Sequence, residues 1–348
     1  MENFMKRSLF IPLVFLFFLS VLFAGTDLQF AELGDLHLEN GQSILDFRAG
    51  YRIYGSIDPD SSNIILYPSW FGGTSEHIGA LIRIHAFIDT ARFAVLAFDA
   101  PGNGVSTSPS NSRFQPGAAF PGISIADMAA AARLLLKKLH IDRLYAIVGG
   151  SMGGMQAFEF ITAYPDMAAK AVIYVATPQT TAYDLLRWEA ARRTIELGRT
   201  YAIPESEYML PLQITQALNG KSPAFFACEM PREEVPDFLT SYEEYRPGNF
   251  SADNFYCQSG AIIRHDISRH QGGDLKKTAA GIRSRLLLIV NKQDHLVAPW
   301  PAIDFAGISG AKLLVLDNNR GHLGITYEIG KVRKTIDRFL RQRQTHAK

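Results

Sequence analysis

The feature that most constrains this chain is a glycine-rich turn between an apolar run and a helical pattern. The apolar run covers Leu144 to Val148, the turn carries Gly149, Ser151 and Gly153 in a G-x-S-x-G spacing, and the helical pattern covers Met155 to Tyr164. Glycines are required where such a turn packs against neighbouring strands. The pattern predicts an exposed, nucleophilic serine hydroxyl on a strained strand-to-helix turn. An ordinary glycine-rich turn is the alternative, and the flanking strand and helix argue against it.

Short apolar runs alternate with helical patterns along most of the chain, which predicts an α/β fold with a mostly parallel sheet and helices on both faces. Each run is typical of a strand buried on both faces. The runs are Ile64 to Tyr67, Phe93 to Phe98, Leu144 to Val148, Ala171 to Val175, Leu286 to Val290 and Leu313 to Leu316. The segments 35–38 and 51–55 are predicted as an earlier pair of strands. Residues 125–139 show the apolar spacing of a helix.

Residues 178–280 break this alternation with prolines, aromatic residues and charges. A helix is predicted from Tyr183 to Leu197 within this segment. We interpret the segment as a mainly helical cap inserted between two strands, where it covers the carboxyl edge of the sheet. The core is then divided into residues 26–177 and 281–348.

A serine nucleophile needs a base, and the base needs an orienting acid. Asp294 follows the fifth apolar run and His322 follows the sixth, so both are predicted at carboxyl ends of strands. We predict Ser151, Asp294 and His322 as a catalytic triad, in the order Ser, Asp, His. His295 is the alternative base, but it adjoins the acid and its side chain points elsewhere. Asp317 is the alternative acid, but it shares a loop with the histidine.

Backbone N–H groups are expected to stabilise the oxyanion that forms during acyl transfer. Met152, at the start of the helix after the serine, supplies one donor. The second is expected from the glycine-rich loop after the first apolar run, where we favour the Trp70 N–H with Phe71 as its neighbour. A plain surface turn is the alternative for this loop. The glycine-rich loop 98–106 lacks the lysine of a phosphate-binding loop, and we interpret it as a structural turn braced by Asp99.

The first 25 residues have the pattern of an export signal. Lys6 and Arg7 precede an apolar run from Leu9 to Phe23, and the small residues Ala24 and Gly25 follow. The run is shorter than the roughly 20 residues of a membrane span. Residues 1–25 are therefore predicted to be a signal peptide, with a retained N-terminal anchor as the alternative, and the protein is expected in the periplasm or outside the cell.

Charge and metal-ligand patterns restrict the partners. The chain has 35 Lys and Arg against 34 Asp and Glu, which gives no indication of a nucleic-acid partner. The nine histidines are scattered without metal-ligand spacing, so neither a metal nor a cofactor is expected.

Cys228 and Cys257 either pair, as export would permit, or remain free thiols. Arg187 and Arg246 either clamp a substrate carboxylate or, the favoured interpretation, lie solvated on the surface.

Several segments carry a family resemblance. They are 120–128 (FPGISIADM), 150–157 (GSMGGMQA), 164–166 (YPD), 176–178 (ATP) and 250–256 (FSADNFY). Together they resemble the homoserine O-acetyltransferases, which belong to the α/β-hydrolase superfamily. The resemblance implies the α/β-hydrolase fold, a small-molecule acyl substrate and a ping-pong mechanism. In that mechanism Ser151 carries the acyl group, His322 acts as base and then acid, and Asp294 holds its tautomer.

Two departures from the family bear on the reaction. Leu323 follows His322, where the family has the Asp of a GHD motif that helps to hold the amino-acid acceptor. The middle of the cap, about 198–245, also looks shorter and different. An exported enzyme would moreover meet no acetyl-CoA. We therefore expect hydrolysis of an ester or related acyl substrate, with an acyltransferase as the alternative and a non-catalytic binding protein on the same scaffold as the second alternative.

Overall fold

The computed structural model describes residues 27–243 and 250–342, and its side chains are described for 27–242 and 250–342. The signal or anchor segment predicted at residues 1–25 lies outside the described residues. Among the described residues, no helix combines the length and the apolar character needed to cross a lipid bilayer.

Strands and helices alternate through the described part of the chain. The strands are β1 (Gln29–Glu32), β2 (Leu36–His37), β3 (Ser43–Ile44), β4 (Arg48–Tyr54), β5 (Ile64–Pro68), β6 (Ala94–Phe98), β7 (Ala146–Gly150), β8 (Lys170–Tyr174), β9 (Arg285–Asn291) and β10 (Lys312–Leu316). The helices are α1 (Ser75–His85), α2 (Ile125–Lys138), α3 (Met152–Ala163), α4 (Ala182–Thr200), α5 (Glu205–Gly220), α6 (Pro223–Cys228), α7 (Val235–Glu243), α8 (Ala252–Ile263), α9 (Leu275–Gly281), α10 (Trp300–Ser309), α11 (Gly324–Tyr327) and α12 (Ile329–Arg341).

Eight strands form one sheet in the order β1-β4-β6-β5-β7-β8-β9-β10. From β6 to β10 every neighbouring pair is parallel, whereas β4 runs antiparallel to both β1 and β6. The carboxyl ends of β5 to β10 therefore meet at one edge of the sheet, where ligand sites of open parallel sheets form. The predicted α/β architecture with a mostly parallel sheet is confirmed.

The strands β5 to β9 of the sheet are buried on both faces, which explains why they are continuous apolar runs. Successive side chains of a strand point to opposite faces. Leu66 and Ile147 accordingly belong to a core shared with α2 and α3. Ile65 and Val148, one residue away in each strand, belong to a second core shared with α1 and α12. The buried central strands give the loops at this edge of the sheet a rigid base.

The early strands differ from the prediction. Segment 35–38 contains only the two-residue β2, which pairs with β3 in a separate sheet. β4 pairs with β6 and with β1, and the sequence did not suggest β1 because only Ala31 of its four residues is buried. The strand predicted at 35–38 is therefore only two residues long, whereas the strand predicted at 51–55 forms the end of β4, which stops at Tyr54. β7 also continues into Gly149 and Gly150, because both residues pair with β8.

The segment between β8 and β9 is mainly helical, with α4 to α9 in succession. α4 begins with a capping box in which the Thr181 side chain accepts from the Asp184 N–H and the Asp184 side chain accepts from the Thr181 N–H. Asp184 is buried, and its Oδ1 also accepts from the Ala298 N–H at 3.2 Å. The start of this segment is thus fixed to the loop after β9. We refer to residues 178–280 as the cap.

Candidate active site

Ser151 lies on a sharp turn between β7 and α3. Its φ of 53° and ψ of −130° are unusual for a residue with a side chain, and such a conformation costs about 1–3 kcal/mol. Hydrogen bonds hold the backbone in place. The Ser151 N–H donates to the Tyr174 carbonyl at 3.0 Å, and the Ser151 carbonyl accepts from Gly154 and Met155. The half-buried side chain makes no capping bond to α3, so capping does not occupy the hydroxyl.

The glycines around the serine leave no room for a side chain, as the sequence pattern predicted. A Cβ at Gly149 would overlap the Gly153 carbonyl, and a Cβ at Gly150 would overlap the Tyr174 ring. A Cβ at Gly153 would overlap the carbonyl oxygen of Pro68, the last residue of β5. These close approaches bring the serine turn against the loop predicted to carry the second oxyanion donor.

Asp294 and His322 meet although 28 positions separate them in the sequence. The Asp294 Oδ2 lies 2.7 Å from the His322 Nδ1, and Oδ1 accepts from the N–H groups of Leu296 and Val297 at 2.8 and 2.9 Å. The side chains are 1% and 10% exposed, respectively. An ionised carboxylate only accepts, so the proton of the neutral imidazole lies on Nδ1 and Nε2 is left as the base.

A buried amide joins the loops that carry the acid and the base. Asn291, the last residue of β9, is 0% exposed. Its Nδ2 donates to the carbonyls of Gly321 and Asn318 at 2.6 and 2.9 Å, and its Oδ1 accepts from the Asn318 N–H at 3.2 Å. A Cβ at Gly324 would overlap this amide. Asn291 thus fixes the loop of His322 relative to β9, from which Asp294 follows by three residues.

The alternative acid occupies a different environment. The Asp317 side chain is 59% exposed, accepts from the Gln293 Nε2 at 3.0 Å and lies 3.8 Å from the Lys292 ammonium. The histidine that bonds Asp294 is His322, whereas His295 is only the chain neighbour of that acid. The geometry therefore brings together the acid and the base that were favoured from the sequence.

The loop after β5 forms a tight turn beside the serine. The Gly73 N–H donates to the Trp70 carbonyl at 2.8 Å, and Gly72 has a φ of +64°, a conformation that favours glycine. The Gln156 Nε2, from α3, donates to the Ser69 carbonyl at 2.9 Å. Met152 is the first residue of α3, so its N–H has no acceptor within the helix. The two predicted donors, Met152 and Trp70, thus lie on adjoining segments.

Asp99 braces this region from the loop after β6. It is 0% exposed, and its Oδ1 accepts from the Ser75 N–H at 2.7 Å and from the Asn103 Nδ2 at 2.9 Å. Asn103 also donates to the Gly73 carbonyl at 3.0 Å. Burial raises the pKa of the Asp99 carboxyl. The glycine-rich loop 98–106 therefore supports the Trp70 turn through side-chain hydrogen bonds.

Residues 64–328 match the family described as alpha/beta hydrolase fold. The chain belongs to the α/β-hydrolase family. A probable esterase of Corynebacterium glutamicum is 28% identical over 325 residues, covering 85% of this chain and 89% of the relative. A homoserine O-acetyltransferase of Acidiphilium cryptum is 27% identical over 311 residues, covering 77% and 82%. The solved structure of an acetylester hydrolase from Corynebacterium glutamicum superposes with a TM-score of 0.81 at 26% identity, covering 91% and 96%.

These similarities confirm the resemblance to homoserine O-acetyltransferases and extend it to esterases. The protein is an α/β hydrolase that cleaves esters or transfers acyl groups.

Aromatic rings of the cap pack onto the Trp70 turn of this α/β hydrolase. The Phe71 ring lies 4.8 Å from Trp188, 5.3 Å from Phe250 and 4.9 Å from Phe255, measured between ring centroids. Trp188 and Phe255 are both buried. The residue next to the predicted oxyanion donor is therefore enclosed by an apolar wall from the cap.

Arg187 is bound within the protein and does not occupy the solvated surface position favoured from the sequence. Its Nη2 donates to the Leu296 carbonyl at 2.7 Å, its Nη1 donates to the Gln216 Oε1 at 3.0 Å, and its guanidinium lies 4.2 Å from the Trp188 ring centroid. Burial lowers its pKa to about 10. Arg187 therefore joins the cap to the loop of the predicted acid. Arg246 lies outside the described residues.

The two cysteines are free thiols, Cys228 exposed and Cys257 partly buried in α8. Burial raises the pKa of the Cys257 thiol to about 12, so it is not an activated nucleophile. Within the described ranges 27–242 and 250–342, no group of three or more His, Cys, Asp or Glu side chains is arranged to hold a metal ion.

Sequence reasoning missed the amides that support the site. Asn291, Asn103, Gln156 and Gln258 are all buried polar residues. Asn291 carried a usable signal, because an amide directly ends an apolar run three positions before the predicted acid. The other three carried none for the loop after β5, since the Gly73, Ser69 and Gly72 groups that they bind lie 30, 87 and 186 positions away, respectively.

Proposed function

We propose that this α/β hydrolase is an exported serine esterase that cleaves an ester with a small acyl group through an acyl-enzyme on Ser151. The observation that carries the proposal is the buried hydrogen bond of 2.7 Å between Asp294 and His322, together with the strained turn that presents the serine. A base oriented by an acid is what a serine hydroxyl needs to become a nucleophile.

In the proposed mechanism His322 Nε2 accepts the Ser151 proton while the Ser151 Oγ attacks the ester carbonyl carbon. The negative charge that develops on the carbonyl oxygen is held by the N–H groups of Met152 and Trp70. The resulting imidazolium then gives its proton to the leaving alkoxide, and the C–O bond breaks to leave an acyl-enzyme. Asp294 keeps the imidazole oriented and stabilises its charge throughout.

Water completes the cycle in the second half of the reaction. His322 takes a proton from the water, whose oxygen attacks the acyl carbon, and returns that proton to Ser151 as the acid leaves. Export supports water as the acceptor, because an exported enzyme meets no acetyl-CoA. Leu323 also supports it, since this position lacks the polar residue that helps the acyltransferases to hold their acceptor.

The packing of aromatic rings at the cap favours a substrate with a small acyl group. Phe71, Trp188 and Phe255 pack against one another with centroid distances of 4.8 to 5.9 Å, so the apolar wall beside the Trp70 turn is close-packed. A relative of known structure is named an acetylester hydrolase, and an acetyl ester carries a small acyl group. Acyl transfer to a hydroxyl acceptor is the second candidate, favoured by the 27% identity to a homoserine O-acetyltransferase.

A direct activity comparison tests the proposal. Purified protein lacking residues 1–25 is assayed on p-nitrophenyl esters of increasing acyl length, and separately with acetyl-CoA plus homoserine. We expect fastest hydrolysis of the acetyl ester and covalent labelling of Ser151 by a fluorophosphonate, lost in Ser151→Ala. Labelling that survives Ser151→Ala would refute the nucleophile, whereas efficient acetylation of homoserine would refute hydrolysis and leave the triad intact.

A separate experiment tests whether the protein is exported. Cell fractionation followed by N-terminal sequencing is expected to place the mature chain outside the cytoplasm, beginning near Gly25. An unprocessed cytoplasmic protein would overturn the export proposal and restore acetyl-CoA as an available donor.

A further inference from the structure

One buried amide joins the cap to the turn that carries the predicted oxyanion donor. Gln258 lies in α8 and is 0% exposed. Its Oε1 accepts from the Gly72 N–H at 2.9 Å, and its Nε2 donates to the Pro101 carbonyl at 3.1 Å. Gly72 belongs to the turn that begins at Trp70, and Pro101 belongs to the loop after β6. A single cap side chain thus ties together two loops at the carboxyl edge of the sheet.

The amide of Gln258 must accept a hydrogen bond from one partner and donate a hydrogen bond to the other. An N–H needs an acceptor and a carbonyl needs a donor, so only one orientation of the amide satisfies both. The stem of the side chain is also fixed, because it passes close to Gly102: a Cβ there would lie 3.2 Å from the Gln258 Cγ. An ionised glutamate at this position would accept but not donate, and a methionine would do neither.

A shift of Gly72 also moves the other backbone groups of the Trp70 turn. It is closed by the hydrogen bond of 2.8 Å from Gly73 to Trp70, so a displacement at Gly72 moves the Trp70 end as well. Oxyanion donors act over about 2.7–3.1 Å, and a shift of a few tenths of an ångström weakens them. Weaker oxyanion hydrogen bonds destabilise mainly the transition state, because the negative charge on the carbonyl oxygen is largest there.

We propose that Gln258 is a positioning residue that sets the oxyanion turn from the cap, so that cap placement and transition-state stabilisation are coupled. This inference rests on the proposed acyl transfer through Ser151. Gln258 makes no contact with the reacting atoms in this scheme. Its effect passes through the backbone of Gly72.

The first experiment separates positioning from substrate binding. Gln258→Met keeps the size of the side chain and removes both hydrogen bonds. We expect kcat on p-nitrophenyl acetate to fall about 10- to 100-fold, with KM changed by less than about threefold. The affinity of a trifluoromethyl ketone, which forms a tetrahedral adduct, is expected to fall by the same factor as kcat/KM.

A matched control lies one position along the same helix. Ser259 is also 0% exposed, but within the described part of the chain its hydroxyl bonds only the Tyr256 carbonyl of α8, at 3.1 Å. Ser259→Ala is expected to keep kcat within about twofold, because it leaves the oxyanion turn untouched.

The second experiment gives a signature that a merely structural role would not produce. In Gln258→Glu the protonated acid can still accept from the Gly72 N–H and donate to the Pro101 carbonyl. The ionised carboxylate has no proton to donate, so its oxygen and the Pro101 carbonyl oxygen repel each other. Burial raises the pKa of such a carboxyl. The ratio of variant to wild-type kcat is therefore expected to fall at least tenfold as the pH rises from about 5 to 9, since every other titrating group is common to the two proteins.

The outcomes distinguish this inference from the proposed function. Wild-type protein that hydrolyses no ester would refute the function itself. An active wild type with unchanged kcat in Gln258→Met, or a pH-independent ratio in Gln258→Glu, would refute the role of Gln258. If Gln258→Met does not fold, the pH series of Gln258→Glu decides alone.

Discussion

Replacing Asp294 by asparagine tests the acid–base pair with almost no change in shape. The Asp294 Oδ1 accepts from the N–H groups of Leu296 and Val297 at 2.8 and 2.9 Å. The asparagine oxygen will therefore stay on that side, and its NH2 group will face His322. The opposite orientation would leave two buried N–H groups without an acceptor, at about 1–3 kcal/mol each. Even 2 kcal/mol favours the first orientation roughly 30-fold.

With an NH2 group facing it, the imidazole must accept at Nδ1 and carry its proton on Nε2. That tautomer cannot take the proton of Ser151. The same substitution in a serine protease triad lowers kcat about 10⁴-fold, which corresponds to about 5.4 kcal/mol of transition-state stabilisation. We expect a loss of this order in Asp294→Asn.

The assay is the initial rate of p-nitrophenyl acetate hydrolysis, with end-point fluorophosphonate labelling to count folded sites. Asp317→Asn is the matched control, since it makes the same change on an exposed acid of the neighbouring loop, and it should keep kcat within about twofold. Asp294→Asn that keeps more than a tenth of the wild-type kcat, or Asp317→Asn that loses most of it, would refute the assigned acid.

Three further predictions concern the base, the serine turn and the half-buried Lys221. His322→Ala should lower kcat by several orders of magnitude, whereas His295→Ala should keep most of it; the opposite result on p-nitrophenyl acetate would exchange their roles. Gly153→Ala should lower the free energy of unfolding by more than about 2 kcal/mol, because its Cβ would overlap the Pro68 carbonyl; wild-type stability in urea titration would contradict the close approach. Burial lowers the pKa of Lys221 to about 8 from its ordinary value of 10.5, so the unfolded chain binds more protons between these values. Stability relative to Lys221→Met should therefore rise with pH from about 8 to 10.5 in thermal unfolding, and a flat difference would contradict this shift.

The local parts of the site could be predicted because their signals lie close together in the sequence. The segment around Ser151 combines a strand, a turn and a helix within some twenty residues, and each of these is recognised from nearby side chains alone. The apolar runs likewise predicted the sheet, since a strand buried on both faces has no polar alternation. The position of Asp294 and His322 after two such runs then placed both at the carboxyl edge.

The early strands show where this reasoning fails. β1 has one buried residue of four and lies at the sheet edge, so its pairing with β4 leaves no pattern in its own sequence. Segment 35–38 has a strand-like composition, yet it forms only a two-residue bridge with β3. Edge strands depend on an available partner more than on their own side chains.

The sequence by itself determined the fold class and the turn at Ser151, and it predicted Asp294 and His322 as the acid and the base. Tertiary structure alone decided which groups hold them in place. Gln258 meets Gly72 across 186 positions of the chain, and Asn291 meets Gly321 across 30. Secondary structure repeats every two or 3.6 residues and leaves a trace in the sequence, whereas a single buried hydrogen bond between distant residues has no period and leaves none.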